Sequence, residues 1–333
     1  MEGGKAVRRL FKLFVLLAAM SGTCALWWIN QRLVLNAETI DLSIDPGTSV
    51  RGVALATQEA GVQVDPALLY WWFRLSGKAR QIKAGSYELE PGVTPYSLLR
   101  KLVRGEESFR SLTLVEGWNF NQVRNSLLKA EQLKPDTQGL SSDLIMNALG
   151  KPGVHPEGRF YPDTYNYAKG SSDLAVLKRA MRAMDKRLAE AWRQRQPDTP
   201  LKTPEQALIL ASIVEKETGR ASDRAMIAGV FSNRLRIGMM LQTDPTVIYG
   251  LGDTFDGNLR RSHLQADTPW NTYTRSGLPP TPIAMPGRAA LMAAVQPAPT
   301  KALYFVSRGD GTSQFSTSLE AHNQAVNKYQ RGQ

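Results

Sequence analysis

The chain has 333 residues, 42% hydrophobic and 21% charged, with one cysteine, three histidines and a net charge of +11. At about 100 to 200 residues per domain it holds about two domains of ordinary globular composition, neither disordered nor collagen-like. The single Cys24 excludes an intramolecular disulfide and a thiolate zinc cluster, and His155, His263 and His322 are too scattered to suggest a histidine-rich metal site.

A basic balance raises nucleic acid first, so the placement of the charge decides. Lys5, Arg8, Arg9 and Lys12 precede an uncharged run from Leu13 to Ile29, and Arg32 follows it. As a helix that run rises about 25 Å, the short end of a bilayer span, and snorkelling of Lys12 extends it to Leu10. Trp27 and Trp28 fall where an interfacial aromatic belt lies, and the basic flank puts the N-terminus in the cytoplasm and the rest outside. Residues 10–29 are therefore expected to cross a membrane. A cleaved signal peptide is the competing reading, with small residues at Ala19, Ser21 and Ala25; the length of the run and its terminal tryptophans speak for a retained span. Ser21-Gly22-Thr23 is a poor approach to a lipid-attachment site, so Cys24 reads as a small apolar residue within the span. Residues 1–36 carry +4, which leaves +7 spread over the remainder. That distribution suits an anionic wall or lipid headgroups, and no nucleic-acid partner is expected.

Residues 37–108 read as a small α+β module. Ile40, Leu42 and Ile44 alternate as a half-buried strand does, and Tyr87 and Leu89 repeat the pattern. Helices are expected over 49–60, over 66–75 and from Thr94-Pro95 towards Gly105. Trp71 and Trp72 serve either as a sugar platform or as core. Residues 109–333 form a larger α+β region that begins with a strand at 112–115. Residues 121–150 and 171–196 read as amphipathic helices. The aromatic segment 157–165, with Pro162, is a loop that either lines a carbohydrate cleft or packs as a turn.

The segment 203–217 carries the strongest local signal. Thr203 is an N-cap, Pro204 suits the first helical position, and Gln206 completes a capping box. At about 100° per residue Glu217 falls beneath Leu210, Ile213 and Val214 on the apolar face, while Glu215 points about 160° away. The two glutamates therefore cannot act as one carboxylate pair. A carboxyl against apolar neighbours resists ionisation, as a general acid requires; the alternative is a helix-terminal carboxylate meeting solvent or a basic partner. A helix capped by Ser222 runs to Gly238, and 240–250 is dense in hydrogen-bonding side chains. Segments 271–273 and 277–287 make a stiff, proline-rich wall. A helix at 288–295, a strand at 303–306 and a helix after Ser318 complete the chain. Signatures of phosphate-binding loops, serine hydrolases, zincins and dinucleotide-binding folds are absent, and Ser126-Leu127-Leu128-Lys129 lacks the partner motifs of penicillin-binding enzymes.

Ala211-Ser212-Ile213-Val214-Glu215-Lys216-Glu217-Thr218, Val230-Phe231-Ser232-Asn233-Arg234-Leu235 and Met240-Leu241-Gln242-Thr243-Asp244-Pro245-Thr246-Val247-Ile248-Tyr249-Gly250 together resemble the MltG (YceG-like) family of endolytic murein transglycosylases. Glu157-Gly158 with 161–165, Asn271-Thr272-Tyr273 with 277–280, and 303–306 extend the likeness over nearly the whole chain. The resemblance implies a cytoplasmic stub and transmembrane helix (1–36), a LysM-like module (37–108) and a catalytic domain (109–333). The protein would sit in the inner membrane, single-pass, with the bulk of the chain periplasmic. It also implies a lytic transglycosylase that cleaves the MurNAc–GlcNAc β-1,4 bond of peptidoglycan, leaves 1,6-anhydro ends and limits nascent strand length. Peptidoglycan synthases are the implied partners, with no cofactor and no metal. The implied general acid is Glu217, the second glutamate of the motif, which overrides the solvent-facing alternative. Asn233, Gln242, Asp244, Tyr249, Asn271, Tyr273 and Glu157 are the candidates for holding sugar. One departure is Ser313, at a place where relatives commonly carry histidine; His322 matches the family pattern and reads as a buried helix histidine. The alternative function is a non-enzymatic peptidoglycan-binding or synthase-scaffolding membrane protein, distinguished by wall binding without turnover.

Overall fold

Capping residues and prolines fix most element boundaries in this computed structural model, which describes residues 3–106 and 109–331; side chains of 3–11, 13 and 18 lie outside the description. The chain folds as two units, Met1–Arg110 and Ser111–Gln333. Both are mixed α+β with two-stranded sheets.

In the first unit, helix α1 (Gly3–Ile29) takes in the run read as a membrane span. Among the described residues no helix is long and apolar enough to cross a membrane, and part of that run lies outside the described side chains. Short β1 (Val34–Leu35) follows, then β2 (Ile40–Ile44), α2 (Val50–Glu59), β3 (Val62–Gln63), α3 (Pro66–Leu75), β4 (Gly85–Leu89) and α4 (Pro95–Arg104). Strands β2 and β4 pair antiparallel, Ile40 opposite Leu89 and Ile44 opposite Gly85, so the alternation seen in the sequence is the inward face of this ladder. Ser49, Asp65 and Thr94 cap the three helices through their side chains. Leu42, Leu69, Phe73, Tyr87, Leu98 and Leu102 form the core. The tryptophan pair divides: Trp72 donates from its indole to the Pro95 carbonyl at 3.0 Å and packs on the core, while Trp71 is 55% exposed.

The second unit runs β5 (Phe109–Thr113), α5 (Phe120–Lys129), α6 (Ser142–Ala148), β6 (Thr164–Ala168), α7 (Asp173–Arg193), α8 (Pro204–Glu217), α9 (Ala221–Arg236), α10 (Asp244–Leu251), α11 (Arg261–Gln265), α12 (Arg288–Val295), β7 (Tyr304–Ser307), β8 (Ser313–Ser316) and α13 (Leu319–Val326). The helix expected over 121–150 is broken into α5 and α6. Gln132 adopts φ +59° and Pro135 has no amide hydrogen to give, so the chain turns out. It is pinned instead to the start of α7, where buried Asp173 accepts from the Thr137 amide and hydroxyl. The end of the 157–165 loop joins strand β6, which pairs with β5. Residues 244–251, read as a polar segment, form α10 with Pro245 in its first turn.

Two cores share α7. Leu112, Phe120, Val123, Ile145, Phe160, Val176 and Leu177 fill one; α8, α9 and α12 enclose the other around Leu208, Leu210, Ile213, Phe231, Leu291 and Val295. Every residue of α8 from Ala207 to Val214 is buried, so this helix has no single apolar face. Glu217 is set by being the last residue of a buried rod, not by an apolar stripe as periodicity suggested. The cap at Thr203 holds, accepting from the Gln206 amide at 3.2 Å, but Gln206 turns its own carbonyl to the Lys202 amide at 2.6 Å. Ser222 does not cap α9, which starts one residue earlier at Ala221 without a side-chain cap.

Candidate active site

Glu217 ends α8, and Thr218 leaves the helix with extended dihedrals. The two motif glutamates part as the helix geometry predicts. Glu215 Oε2 accepts from the Gly287 amide at 2.8 Å and supplies the N-terminus of α12 with the acceptor its own sequence lacks. Glu116 packs over Gly287 so closely that a Cβ there would lie 1.8 Å from its Oε1, and any larger residue would have to push that side chain aside. Glu217 faces the other way, into a cavity of about 590 Å³ shared with Arg234, Gln242, Asp244, Tyr273, Tyr304 and His322.

The floor of this cavity is a stitched pair of loops. Gln242, at φ +48°, donates its backbone amide to the Thr272 carbonyl at 3.0 Å, and the Thr243 amide donates to Thr272 Oγ1 at 3.1 Å. Thr243, Thr246 and Thr272 are buried, and the last two share a hydrogen bond of 2.9 Å. The Thr243 hydroxyl donates to Glu217 Oε1. Tyr273 donates to Asp244 Oδ1 at 2.6 Å across the same gap.

Burial pushes the Glu217 carboxyl above its ordinary value; the Thr243 hydrogen bond opposes this, the Asp244 charge adds to it, and Arg234 opposes it. Its place at the negative end of a helix dipole acts in the same direction as burial. Thr243→Val removes a donor that favours the ionised form, so the Glu217 pKa rises further. The alkaline limb of any rate profile that depends on protonated Glu217 is then expected at higher pH than in the parent, measured as kcat/KM against pH; an unmoved limb would exclude this coupling.

Of the other candidates, Gln242, Asp244 and Tyr273 join Glu217. Asn233 does not: its amide donates to the Thr300 and Ala302 carbonyls at 2.9 and 3.0 Å, and its oxygen accepts from Arg236. Asn271 is fully buried and donates to the carbonyls of His263, Leu264 and Ala266, while its oxygen receives the Tyr273 amide. It shapes the loop that carries Tyr273. Tyr249 and Glu157 meet each other in a neighbouring cavity, hydroxyl to Oε2 at 3.1 Å.

Sequence reasoning passed over Arg234. It is 7% exposed, donates from Nε to the Leu303 carbonyl at 2.7 Å and from Nη1 to the Met240 and Leu241 carbonyls, and lies over the Tyr304 ring. Thr243 was inside a quoted motif but not singled out. His322 is half-buried, stacked on Tyr304 with centroids 5.2 Å apart, and lines the cavity; burial and Arg234 lower its pKa. Ser313 lines the cavity too, its amide held by Asp223 at 2.8 Å.

The YceG-like family profile matches residues 42–328. The chain belongs to the YceG-like family. It is 30% identical over 308 residues to the endolytic murein transglycosylase of Bacillus subtilis, an alignment covering 87% of this chain and 85% of that one. It is 25% identical to the endolytic murein transglycosylase of Streptococcus pneumoniae over 86% of this chain, and spans 58% of that relative's length. A crystal structure of a putative YceG-like protein from Listeria monocytogenes, 29% identical, superposes with a TM-score of 0.53 over 86% of this chain and 99% of that one. The YceG-like match includes Glu217, Glu157 and all of α8 to α13.

Proposed function

We propose that the chain is an endolytic murein transglycosylase, which cuts the β-1,4 bond between N-acetylmuramic acid and N-acetylglucosamine in peptidoglycan and leaves 1,6-anhydro ends. The carrying observation is the Glu217 carboxyl on the wall of an open cavity, its pKa raised by burial. The names of the family relatives support the choice of substrate. Glu217 gives its proton to the glycosidic oxygen as the bond to C1 breaks. The carboxylate so formed then takes the proton of the muramic acid C6 hydroxyl while that oxygen closes on C1, so no water enters and one acid suffices. Asp244, with Tyr273 fixed on one of its oxygens, faces the positive charge that develops at C1. Digestion of purified glycan strands by the full chain in detergent is expected to release fragments with anhydro ends by mass spectrometry. Reducing ends would make the enzyme a hydrolase, and strand binding without release would favour the scaffolding reading.

On the same reading α1 anchors the chain in the inner membrane, with a cytoplasmic N-terminus and the bulk of the chain periplasmic. Phe14, Leu16, Leu17, Leu26 and Trp27 are each more than half exposed on this helix, apolar surface that lipid would cover. The full chain is expected to stay with membranes through an alkaline carbonate wash; its release would count against the anchor. The unit before residue 111 is read as LysM-like, a fit supported by two helices closed by the β2–β4 ladder. Peptidoglycan synthases are the proposed protein partners.

A further inference from the structure

Next to the Glu217 cavity lies a second one of about 530 Å³. The two share neighbouring residues as walls: Lys216 and Pro245 line the second where Glu217 and Asp244 line the first. Glu157 lines the second cavity and is 3% exposed. Its Oε2 accepts from the Phe120 amide and the Tyr249 hydroxyl, each at 3.1 Å, while buried Oε1 has no hydrogen-bond partner. A buried carboxyl oxygen without a partner is costly and rare unless a ligand or water completes it. Since Oε2 already accepts twice, the proton of the neutral acid belongs on Oε1, where it can be donated. Ile248 and Phe255 supply apolar wall beside these polar groups, and Lys216 and Asp253 contribute opposite charges, a lining suited to a neutral ligand.

We propose that this second cavity binds an acetamido-bearing sugar of the glycan strand, with Glu157 donating from Oε1 to the acetamido carbonyl. The choice of ligand rests on the transglycosylase reading of the adjoining cavity. An acetamido group offers the carbonyl acceptor that Oε1 requires and a methyl for the apolar wall. Burial holds the Glu157 pKa up at about 7, against the hydrogen bonds from Phe120 and Tyr249, the nearby Gly158 amide dipole and the charge of Lys216. Binding should therefore be strong below that value and weaken as pH rises through it. Two other groups lining the cavity are shifted away from this window. His155 is lowered by burial and by Arg159, and Tyr249 is raised by burial and by Glu157.

The test uses the full chain carrying Glu217→Gln, so that neither turnover nor Glu217 titration contributes, with tetramers of N-acetylglucosamine and of glucosamine as probes in calorimetry. The N-acetylated tetramer is expected to bind at least tenfold more tightly than the free amine at pH 6.5 and to lose about 25-fold in affinity by pH 8.5. Adding Glu157→Gln, whose amide keeps both an acceptor for Phe120 and a donor at the Oε1 position, is expected to retain binding and flatten its pH dependence. Adding Glu157→Ala is expected to lose tenfold or more at pH 6.5. An unchanged pH dependence in Glu157→Gln, or equal affinity for the two tetramers, would overturn the proposal even if Glu157→Ala failed to fold. If the parent releases anhydro fragments while binding ignores Glu157, this inference fails and the catalytic reading stands. If binding follows Glu157 but no fragment is ever released, the catalytic reading fails instead.

Discussion

Glu217→Gln is expected to give a folded protein with its rate of anhydro-fragment release reduced by at least about 10³-fold, the upper part of the range for loss of a general acid. Glutamine keeps the volume and the oxygen that receives the Thr243 hydroxyl, so the melting temperature should barely change or rise slightly, since a carboxyl that burial disfavours has been removed. Glu215→Gln is the matched control. Its oxygen can still receive the Gly287 amide, but the charge near Arg224, 3.8 Å away, is lost. That variant should retain turnover and give up a modest amount of stability. Equal loss of turnover in both variants would mean that the helix end, not the acid, had been disturbed. In the parent, the raised Glu217 pKa means that the acid form persists to higher pH than an ordinary glutamate allows, and release should fall as pH rises through that shifted value.

Arg234→Met is expected to be the most destabilising single change at the site. Three carbonyls, those of Leu303, Met240 and Leu241, lose their donor together, at about 1 kcal/mol each and about 3 kcal/mol in all. For a unit of this size that corresponds to a melting temperature lower by about 6–12 °C. Arg234→Lys should recover little of it, because a single ammonium cannot reach carbonyls on two sides in the way a planar guanidinium fork does. The cavity walls at 240–241 and 303–304 would loosen at once, and activity should fall with stability. A thermal melt beside the product assay checks this; an unchanged melt in Arg234→Met would contradict the bracing role.

Much of the architecture was legible because local chemistry carried it. The alternation at 40–44 and 85–89 became a ladder, Thr203-Pro204 started α8, and the opposite directions of Glu215 and Glu217 followed from helical geometry alone. The failures were tertiary. Nothing local says that α8 is enclosed on all sides, so its end could not be distinguished from a solvated one by periodicity. The break at Gln132 depends on the Asp173 contact made with a segment 36 residues away. Asn233 and Arg234 are neighbours on α9 with similar polar character, and only packing decides that the asparagine braces a loop while the arginine reaches the cavity. Glu157 and Tyr249 were both singled out, but their meeting 92 residues apart, away from Glu217, is a fact of topology.

The clasp between Glu215 and Gly287 has a consequence for how the acid is held. Glu217 lies two residues beyond a side chain that is tied to an amide 72 positions further along the chain. The aim of the acid is therefore set by where α12 begins. A change that displaced the Gly287 amide would release Glu215 at the last turn of α8 and mis-aim a group it never touches. In this protein the accuracy of proton delivery is a property of the seam between two helices, and that seam, more than the cavity lining, decides which other sequences could carry the same chemistry.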